Sequence, residues 1–333
     1  MIQTDQIRTV IENIKIPEMW RSLGQMNSVG SINVTEQSVE IILKSTALVE
    51  ESQLWIQKSI EDSLKNLGEN RPINLSFVES KPAEQNVIGK IIAVMSGKGG
   101  VGKSLVSGLT AVALRRAGFE VGILDADITG PSIPKMFGIN SRPSYNGNAM
   151  LPVTTRTGIE VMSLNLLLPN EEEAVIWRGP IIGKVITQFW EEVLWGKLDY
   201  LIIDLPPGTA DAPLTILQQV PVSGIVIVST PQDLTTMIVK KAVNMAGTMK
   251  KPILGVVENM SYLYVPEIDK KIELFGKSRA EEMSKAAGAP VIAILPIDPS
   301  LAALCDSGEI EKYDNEIITL IGQKIVDLAY AVK

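Results

Sequence analysis

A chain of 333 residues with 45% hydrophobic and 21% charged residues has the apolar content for roughly two globular domains of about 150 residues. Its net charge of −7 supplies no basic face of the kind that phosphate binding rewards, so nucleic acid is not an expected partner. One cysteine, Cys305, and no histidine exclude an intrachain disulfide and a zinc site built from His and Cys.

The opening MIQTDQIRTVIENIKIPE lacks a basic segment followed by an apolar one, so no signal peptide is expected. No run approaches the roughly 18 apolar residues of a membrane span. The mean hydropathy of +0.18 is therefore assigned to buried strands, and a cytoplasmic chain with no membrane partner is expected.

Residues 1–78 read as a small α+β domain. Ile7, Val10, Ile11 and Ile14 recur at helical spacing, and 32–34 with 39–43 read as a hairpin. Leu54, Ile56, Ile60, Leu64 and Leu67 mark a second helix, and 73–77 a last strand. The polar residues 79–87 read as a linker.

From 88 to 333 the texture changes to short continuous apolar runs separated by helical stretches. The runs are 91–95, 121–124, 200–203, 225–228, 253–257 and 291–295. Runs without alternation belong to strands buried on both faces. This predicts an α/β domain with a mostly parallel sheet flanked by helices. Ile317, Ile318, Ile321, Ile325, Leu328, Ala329 and Val332 form one helical stripe. Its polar face carries only Lys324 and Lys333 as bases, which suits packing on the sheet and not a membrane surface.

The chemistry concentrates after the first run. Gly97, Lys98, Gly99, Gly100, Val101, Gly102, Lys103 and Ser104 fit G-x-x-x-x-G-K-[ST] at every fixed position, between a strand and an apolar-periodic helix. Glycines let successive backbone N–H groups turn inward as an anion nest, and the helix N-terminus adds its positive end. Lys103 is expected to reach the β- and γ-phosphates of ATP, and the Ser104 hydroxyl to ligate Mg²⁺. The second run ends in Asp125-Ala126-Asp127 and the third in Asp204-Leu-Pro-Pro-Gly208. Asp125 is expected to support the metal site, Asp204 to hold Mg²⁺ through water, and Gly208 to sense the γ-phosphate.

Lys98, directly after the first glycine of the motif, resembles the deviant Walker A lysine of the nitrogenase iron protein and the Min and Par ATPases. That resemblance implies a lysine reaching the partner's phosphates in an ATP-dependent homodimer, and Asp127 orienting the attacking water. The segments 129–134 (TGPSIP), 177–180 (WRGP), 195–200 (WGKLDY) and 206–211 (PPGTAD) resemble the Mrp/ApbC family of iron–sulfur cluster carrier ATPases. So do 230–233 (TPQD), 258–262 (ENMSY) and 295–299 (LPIDP), and the likeness spans essentially all of 88–312. Ile16-Pro17-Glu18 and 21–24 (RSLG) resemble the small assembly domain that often precedes these ATPases. The likeness implies that Asn259 reads the adenine ring, with Pro296 and Asp298 nearby, and that apoproteins are clients.

Two departures stand out. Where the family usually has C-x-x-C after Asn-Met-Ser-Tyr, this chain has Leu263-Tyr-Val-Pro-Glu-Ile-Asp269, and where the small domain commonly has a cysteine it has 45–49 (STALV). Cys305 alone gives two thiolates per dimer, short of what a cluster requires. It is expected on a helix as a partly buried structural thiol. The resemblance thus implies an ATP-hydrolysing dimer that carries clusters or assists their assembly. The alternatives are an ATP-gated switch or scaffold with no cluster of its own, and a Par- or Min-like positioning ATPase, against which the acidic balance argues.

Overall fold

The computed structural model describes residues 2–331 except 18, 20, 128–131, 147–148, 164–165, 167–178, 210 and 233–234, and the side chains of 179–184 and 235–236 are likewise outside the description. Glu18, Thr129, Gly130, Pro131, Trp177, Arg178, Ala210, Asp233, Val332 and Lys333, all singled out above, therefore lie outside the described residues, and Gly179 and Pro180 are described by backbone alone.

Two compact units are present. The first comprises 1–88 together with 143–152 and 188–198, so it takes in two later segments that lie beyond the 78–88 boundary read from composition. Its elements are α1 (Thr4–Glu12), β1 (Val29–Val34), β2 (Val39–Lys44), α2 (Glu50–Asn66), β3 (Ile73–Val78) and the one-turn α3 (Pro82–Gln85). β1 and β2 pair antiparallel, as the expected hairpin. β2 and β3 pair parallel, which requires the crossover that α2 supplies. On α2, Ser52, Ile56, Ile60 and Leu64 are buried at four-residue spacing, with Glu50 and Glu51 in the first turn and Lys65 in the last, where each charge suits the helix dipole. On β2, Val39, Ile41 and Leu43 face the core while Glu40 and Ile42 face out.

Residues 79–87 are more ordered than a linker reading suggests. Gln85 is fully buried, and its side-chain amide donates to the Met26 carbonyl (2.7 Å) and the Ser28 hydroxyl (3.1 Å). Ala149, Leu151 and Leu194 from the two later segments join the unit's core. The buried Arg21 guanidinium donates to the carbonyls of Leu194 (3.2 Å) and Trp195 (2.6 Å).

The second unit holds an eight-stranded sheet. Its strands are β4 (Val87–Met95), β5 (Val121–Asp125), β6 (Val153–Thr154), β7 (Glu160–Ser163), β8 (Lys197–Asp204), β9 (Gly224–Ser229), β10 (Ile253–Glu258) and β11 (Val291–Ile294). The order across the sheet is β6-β7-β5-β8-β4-β9-β10-β11. β7–β5, β5–β8, β4–β9, β9–β10 and β10–β11 pair parallel, and the edge pair β6–β7 is antiparallel. Six of these strands coincide with the six apolar runs. β6 and β7 escaped the sequence reading because they are short and polar-tipped: Glu160 is buried yet accepts from the Thr154 hydroxyl.

The remaining α-helices among the described residues are α4 (Lys103–Arg116), α5 (Ser132–Met136), α6 (Gly179–Glu192), α7 (Asp211–Gln219), α8 (Thr235–Thr248), α9 (Ala280–Ala287), α10 (Pro299–Asp306) and α11 (Glu316–Ala331). α11 buries Ile318, Ile321, Gly322, Ile325 and Ala329, and Gly322 lies against Ala113 of α4 closely enough that an added Cβ would sit 3.3 Å from it. The apolar stripe therefore packs inward. No helix among the described residues is long and apolar enough to cross a membrane.

Candidate functional site

The site grows from the carboxyl ends of β4, β5 and β8, neighbours at the centre of the sheet. From β4 the chain moves toward β5 and β7 on one side and later resumes on the other with β9, the position where an open α/β sheet leaves a crevice. Residues 97–102 turn sharply between β4 and α4. Gly100 and Gly102 sit in the left-handed region at φ +76° and +79°, where a side chain is strained. Gly97 has no room for a Cβ, which would strike the Ile238 side chain and lie 2.8 Å from the Ile238 carbonyl oxygen. The Ser96 hydroxyl donates to the Lys98 carbonyl (2.9 Å), and the Gly208 amide donates to the Ser96 carbonyl (3.0 Å). Val101 is buried in the core and pins the turn from below. Gly208, at φ +89°, thus brings the loop after β8 beside the glycine turn.

Beneath the turn lies a charged floor. β8 and β5 pair in a register that sets Asp204 opposite Asp125, and β5 with β7 sets Ser163 opposite Asp125. Asp204 is fully buried and accepts from Lys103 Nζ (2.7 Å), Ser104 Oγ (2.5 Å) and Ser107 Oγ (2.8 Å). Lys103 Nζ lies 3.6 Å from Asp127 Oδ2, and the Asp127 amide donates to Asp125 Oδ1 (3.1 Å). Ser163 Oγ donates to Asp125 Oδ2 (3.0 Å). The structure therefore brings together Lys103, Ser104, Asp125, Asp127 and Asp204. A cleft of about 400 Å³ opens over them, lined by Gly99, Gly100, Lys103, Ser104, Asp127 and Pro207 among others.

Burial pushes the Asp125 carboxyl well up from its ordinary range, reinforced by the negative charge of Asp204 beside it. Burial also raises Asp204, but the Lys103 ammonium and the Ser104 and Ser107 hydroxyls oppose the shift. Asp204 is thus the carboxyl that the lysine contacts directly, and Asp125 a neighbour whose charged form burial and Asp204 both disfavour. A carboxyl whose folded pKa lies above its unfolded value of about 3.9 binds more protons folded than unfolded, so its penalty grows as pH rises from there through the folded pKa. Asp125→Asn is accordingly expected to raise the melting temperature at pH 8 more than at pH 5, flattening that part of the pH profile; thermal melts across this range check it.

Lys98 lies apart from this floor, at the surface, where its ammonium contacts the Gln232 side-chain oxygen. Asn259 is buried at the end of β10. Its amide nitrogen donates to the Val101 carbonyl (2.9 Å), its oxygen accepts from the Met260 amide (2.9 Å), and a Cβ on Gly102 would collide with it. Pro296 is half-buried, and Asp298 caps α10 through the amides of Ser300 (2.8 Å) and Leu301 (3.4 Å) while accepting from the Tyr313 hydroxyl (2.7 Å). Asn259 and Asp298 thus each carry a structural task in the described fold.

Ser107 and Ser163 were not singled out from the sequence, and Gln232 was quoted only within the 230–233 likeness, with no role at the site. Ser107 was legible in principle, one helical turn after Lys103 on α4. The pairings of Ser163 and Gln232 could not be read locally, because their partners are 38 and 134 residues away.

Ser104 Oγ and the Asp204 carboxylate present hard oxygens at the foot of an anion nest, a donor set that fits Mg²⁺ beside phosphate. Soft ligands are lacking. Cys305, the sole thiol, is half-buried on α10, and burial with the neighbouring Asp306 pushes it up to about 11, so it is a neutral thiol at pH 7. No group of His, Cys, Asp or Glu among the described residues is arranged to hold a metal ion. The donors present do not fit an iron–sulfur cluster.

The family model described as ParA, NUBPL iron-transfer P-loop NTPase, matches residues 87–329. The iron–sulfur cluster carrier protein of Clostridium perfringens is 46% identical over 244 residues, covering 70% of this chain and 86% of that one. The iron–sulfur cluster carrier protein of Synechocystis is 36% identical over 322 residues, covering 92% and 91%. A nucleotide-binding protein from Archaeoglobus fulgidus, solved in complex with ADP, matches with 46% identity and a TM-score of 0.63 over 69% of this chain and 90% of that one.

Proposed function

The chain belongs to the ParA family of NUBPL-like iron-transfer P-loop NTPases, and from that premise we propose that it binds and hydrolyses Mg·ATP as a homodimer that assists iron–sulfur cluster assembly on apoproteins in the cytoplasm. The observation that carries the ATP reading is the Lys103–Asp204–Ser104 constellation under a turn whose glycines leave the backbone open to phosphate.

In this reading the backbone of 97–103 cradles the phosphates. The Lys103 ammonium exchanges a carboxylate for the β- and γ-oxygens, where charge-assisted bonds contribute roughly 1.5–3 kcal/mol each. Ser104 and Asp204 hold the magnesium ion, with Asp125 behind them, and the metal supplies neutralisation of phosphate charge. Asp127, beside the lysine at the cleft wall, orients the attacking water. Gly208 reports the γ-phosphate to the loop after β8. Asn259 contacts the base, with Pro296 and Asp298 further along the same rim. Lys98, outside the floor and at the surface, reaches the phosphates of a second copy.

Lys98→Ala is then expected to leave Mg·ATP binding within about twofold of wild type while abolishing ATP-dependent dimerisation and turnover. Calorimetry, sedimentation and a phosphate-release assay separate the three readouts. Retained hydrolysis in that variant argues against the cross-subunit role.

A second reading, an ATP-gated switch with no cluster of its own, is favoured by the single neutral thiol. Iron and sulfide analysis after anaerobic reconstitution tests it. A coloured, iron-bearing dimer restores the carrier form; a colourless one, unchanged by Cys305→Ser, leaves the switch.

A further inference from the structure

Asp204 holds donors that a bound nucleotide would take from it. Its Oδ1 accepts from Lys103 Nζ (2.7 Å) and Ser107 Oγ (2.8 Å), and its Oδ2 from Ser104 Oγ (2.5 Å). The residue is fully buried, so bulk water does not replace a donor that leaves. In the reading of the preceding section Lys103 turns to the phosphates and Ser104 to the magnesium ion. Each move strips a donor from the carboxylate. Ser107 is the one of the three that neither phosphate nor metal draws away.

Its position on α4 is the reason. Lys103, Ser104 and Leu105 line the cleft, whereas Ser107 stands one helical turn behind Lys103 and is fully buried. Val106 and Leu109 beside it belong to the core. Gly108, the next residue, lies so close to the Ile310 side chain that an added Cβ would come within 3.1 Å of it. A helix packed this tightly does not slide or roll without opening the core. It holds the Ser107 hydroxyl at a fixed point against the end of β8.

That hydroxyl has one proton and two acceptors in reach. The Lys103 carbonyl lies 3.1 Å away, the usual back-bond of a serine inside a helix. Asp204 Oδ1 is nearer, and a hydrogen bond to an ionised acceptor is roughly twice as strong as one to a neutral acceptor. Thr110 on the same helix provides the contrast, since its buried hydroxyl donates to the Val106 carbonyl (2.7 Å).

What Ser107 fixes is orientation. The terminal torsion of an aspartate is broad, and rotation about that one bond exchanges its oxygens. With Oδ1 tied to Ser107, Oδ2 remains the oxygen that faces Ser104 at the foot of the cleft.

We propose that Ser107 is a positioning residue for magnesium: it keeps hold of Asp204 Oδ1 when Lys103 and Ser104 turn to the nucleotide, and so keeps Oδ2 aimed at the metal's water. This rests on the Mg·ATP reading of the preceding section and adds to it a residue that touches neither nucleotide nor metal.

Calorimetric titration of ATP into Ser107→Ala, in excess Mg²⁺ and in EDTA, tests it beside wild type and Thr110→Val, which removes another buried hydroxyl from α4. Without nucleotide the Ser107 variant is expected to melt within a few degrees of wild type, because Lys103 and Ser104 still hold Asp204. In EDTA its affinity for ATP is expected to stay within about threefold of wild type, because Ser104 still donates to the carboxylate. In Mg²⁺ the affinity is expected to fall about tenfold, the low end of what losing the outer partner of a metal ligand costs. At saturating ATP, the free Mg²⁺ that half-saturates phosphate release is expected to rise about tenfold, with excess Mg²⁺ restoring the rate. Thr110→Val leaves both metal dependences unaltered. Equal losses with and without metal, a matching effect of Thr110→Val, or no rescue by Mg²⁺ overturns the proposal and leaves the Mg·ATP reading standing. A wild type that binds ATP equally well in Mg²⁺ and in EDTA overturns both.

Discussion

Replacing Lys103 with alanine is expected to weaken Mg·ATP binding at least tenfold and to eliminate turnover, because the change removes charge-assisted bonds of roughly 1.5–3 kcal/mol each from the phosphates. The same substitution acts on the fold. Asp204 is fully buried, and Lys103 is its only cationic partner among the described residues. Removing one member of a buried pair leaves an uncompensated charge and typically costs about 3–5 kcal/mol. Here the Ser104 and Ser107 hydroxyls still solvate the carboxylate, so the low end of that range is expected. The sign with pH follows from the direction of the Asp204 shift. Burial raises its folded pKa and the lysine opposes that rise. Without the lysine the carboxyl takes a proton more readily, and the destabilisation shrinks as pH falls toward the folded value and grows as pH rises above it. Adding Asp204→Asn to Lys103→Ala is expected to recover stability without recovering binding. Urea denaturation at pH 5.5 and 8 with calorimetric titration of Mg·ATP separates the two losses. Unchanged ATP affinity in Lys103→Ala contradicts the phosphate role.

Gly102→Ala is expected to produce the second large effect. This glycine is the N-cap of α4 at φ +79°, and holding a side chain in the left-handed region costs about 1–3 kcal/mol. Its Cβ also meets the Asn259 amide, whose bond to the Val101 carbonyl ties β10 to the glycine turn. Relief requires displacement of that amide or of the turn itself, and either deforms the phosphate cradle. Affinity for Mg·ATP is expected to fall by on the order of tenfold to a hundredfold, about 1.4–2.8 kcal/mol. Asn259→Ala alone loses two side-chain hydrogen bonds, each about 1 kcal/mol of stability. Combined with Gly102→Ala it opens the space the new methyl needs, so the double variant is expected to be more stable than the sum of the singles predicts. A double-mutant cycle measured by denaturation reads that coupling directly. Strict additivity contradicts the steric argument.

The six apolar runs and the strand–turn–helix context of 97–104 were readable because both are local. A strand buried on both faces must be continuously apolar, and a phosphate nest must place glycines at fixed spacing whatever surrounds it. The candidate residues Lys103, Ser104, Asp125, Asp127 and Asp204 followed from the same locality, each at or just beyond a strand end. β6 and β7 left no such trace, being two and four residues long, with the buried Glu160 accepting from the exposed Thr154 hydroxyl.

By itself the sequence determined the sheet-forming runs, the phosphate motif, the family likeness and the lack of soft ligands beyond one cysteine. These depend on residue type and near spacing, which the chain carries without folding. Only the tertiary structure decided that Asp204 faces Asp125 across β8 and β5, that Ser163 and Gln232 join the site region, and that 143–152 and 188–198 pack with the first unit. It alone decided that 266–278 stands exposed. Such facts rest on strand register and on contacts between distant segments, and a one-residue slip in register would turn Asp204 to the opposite face of the sheet.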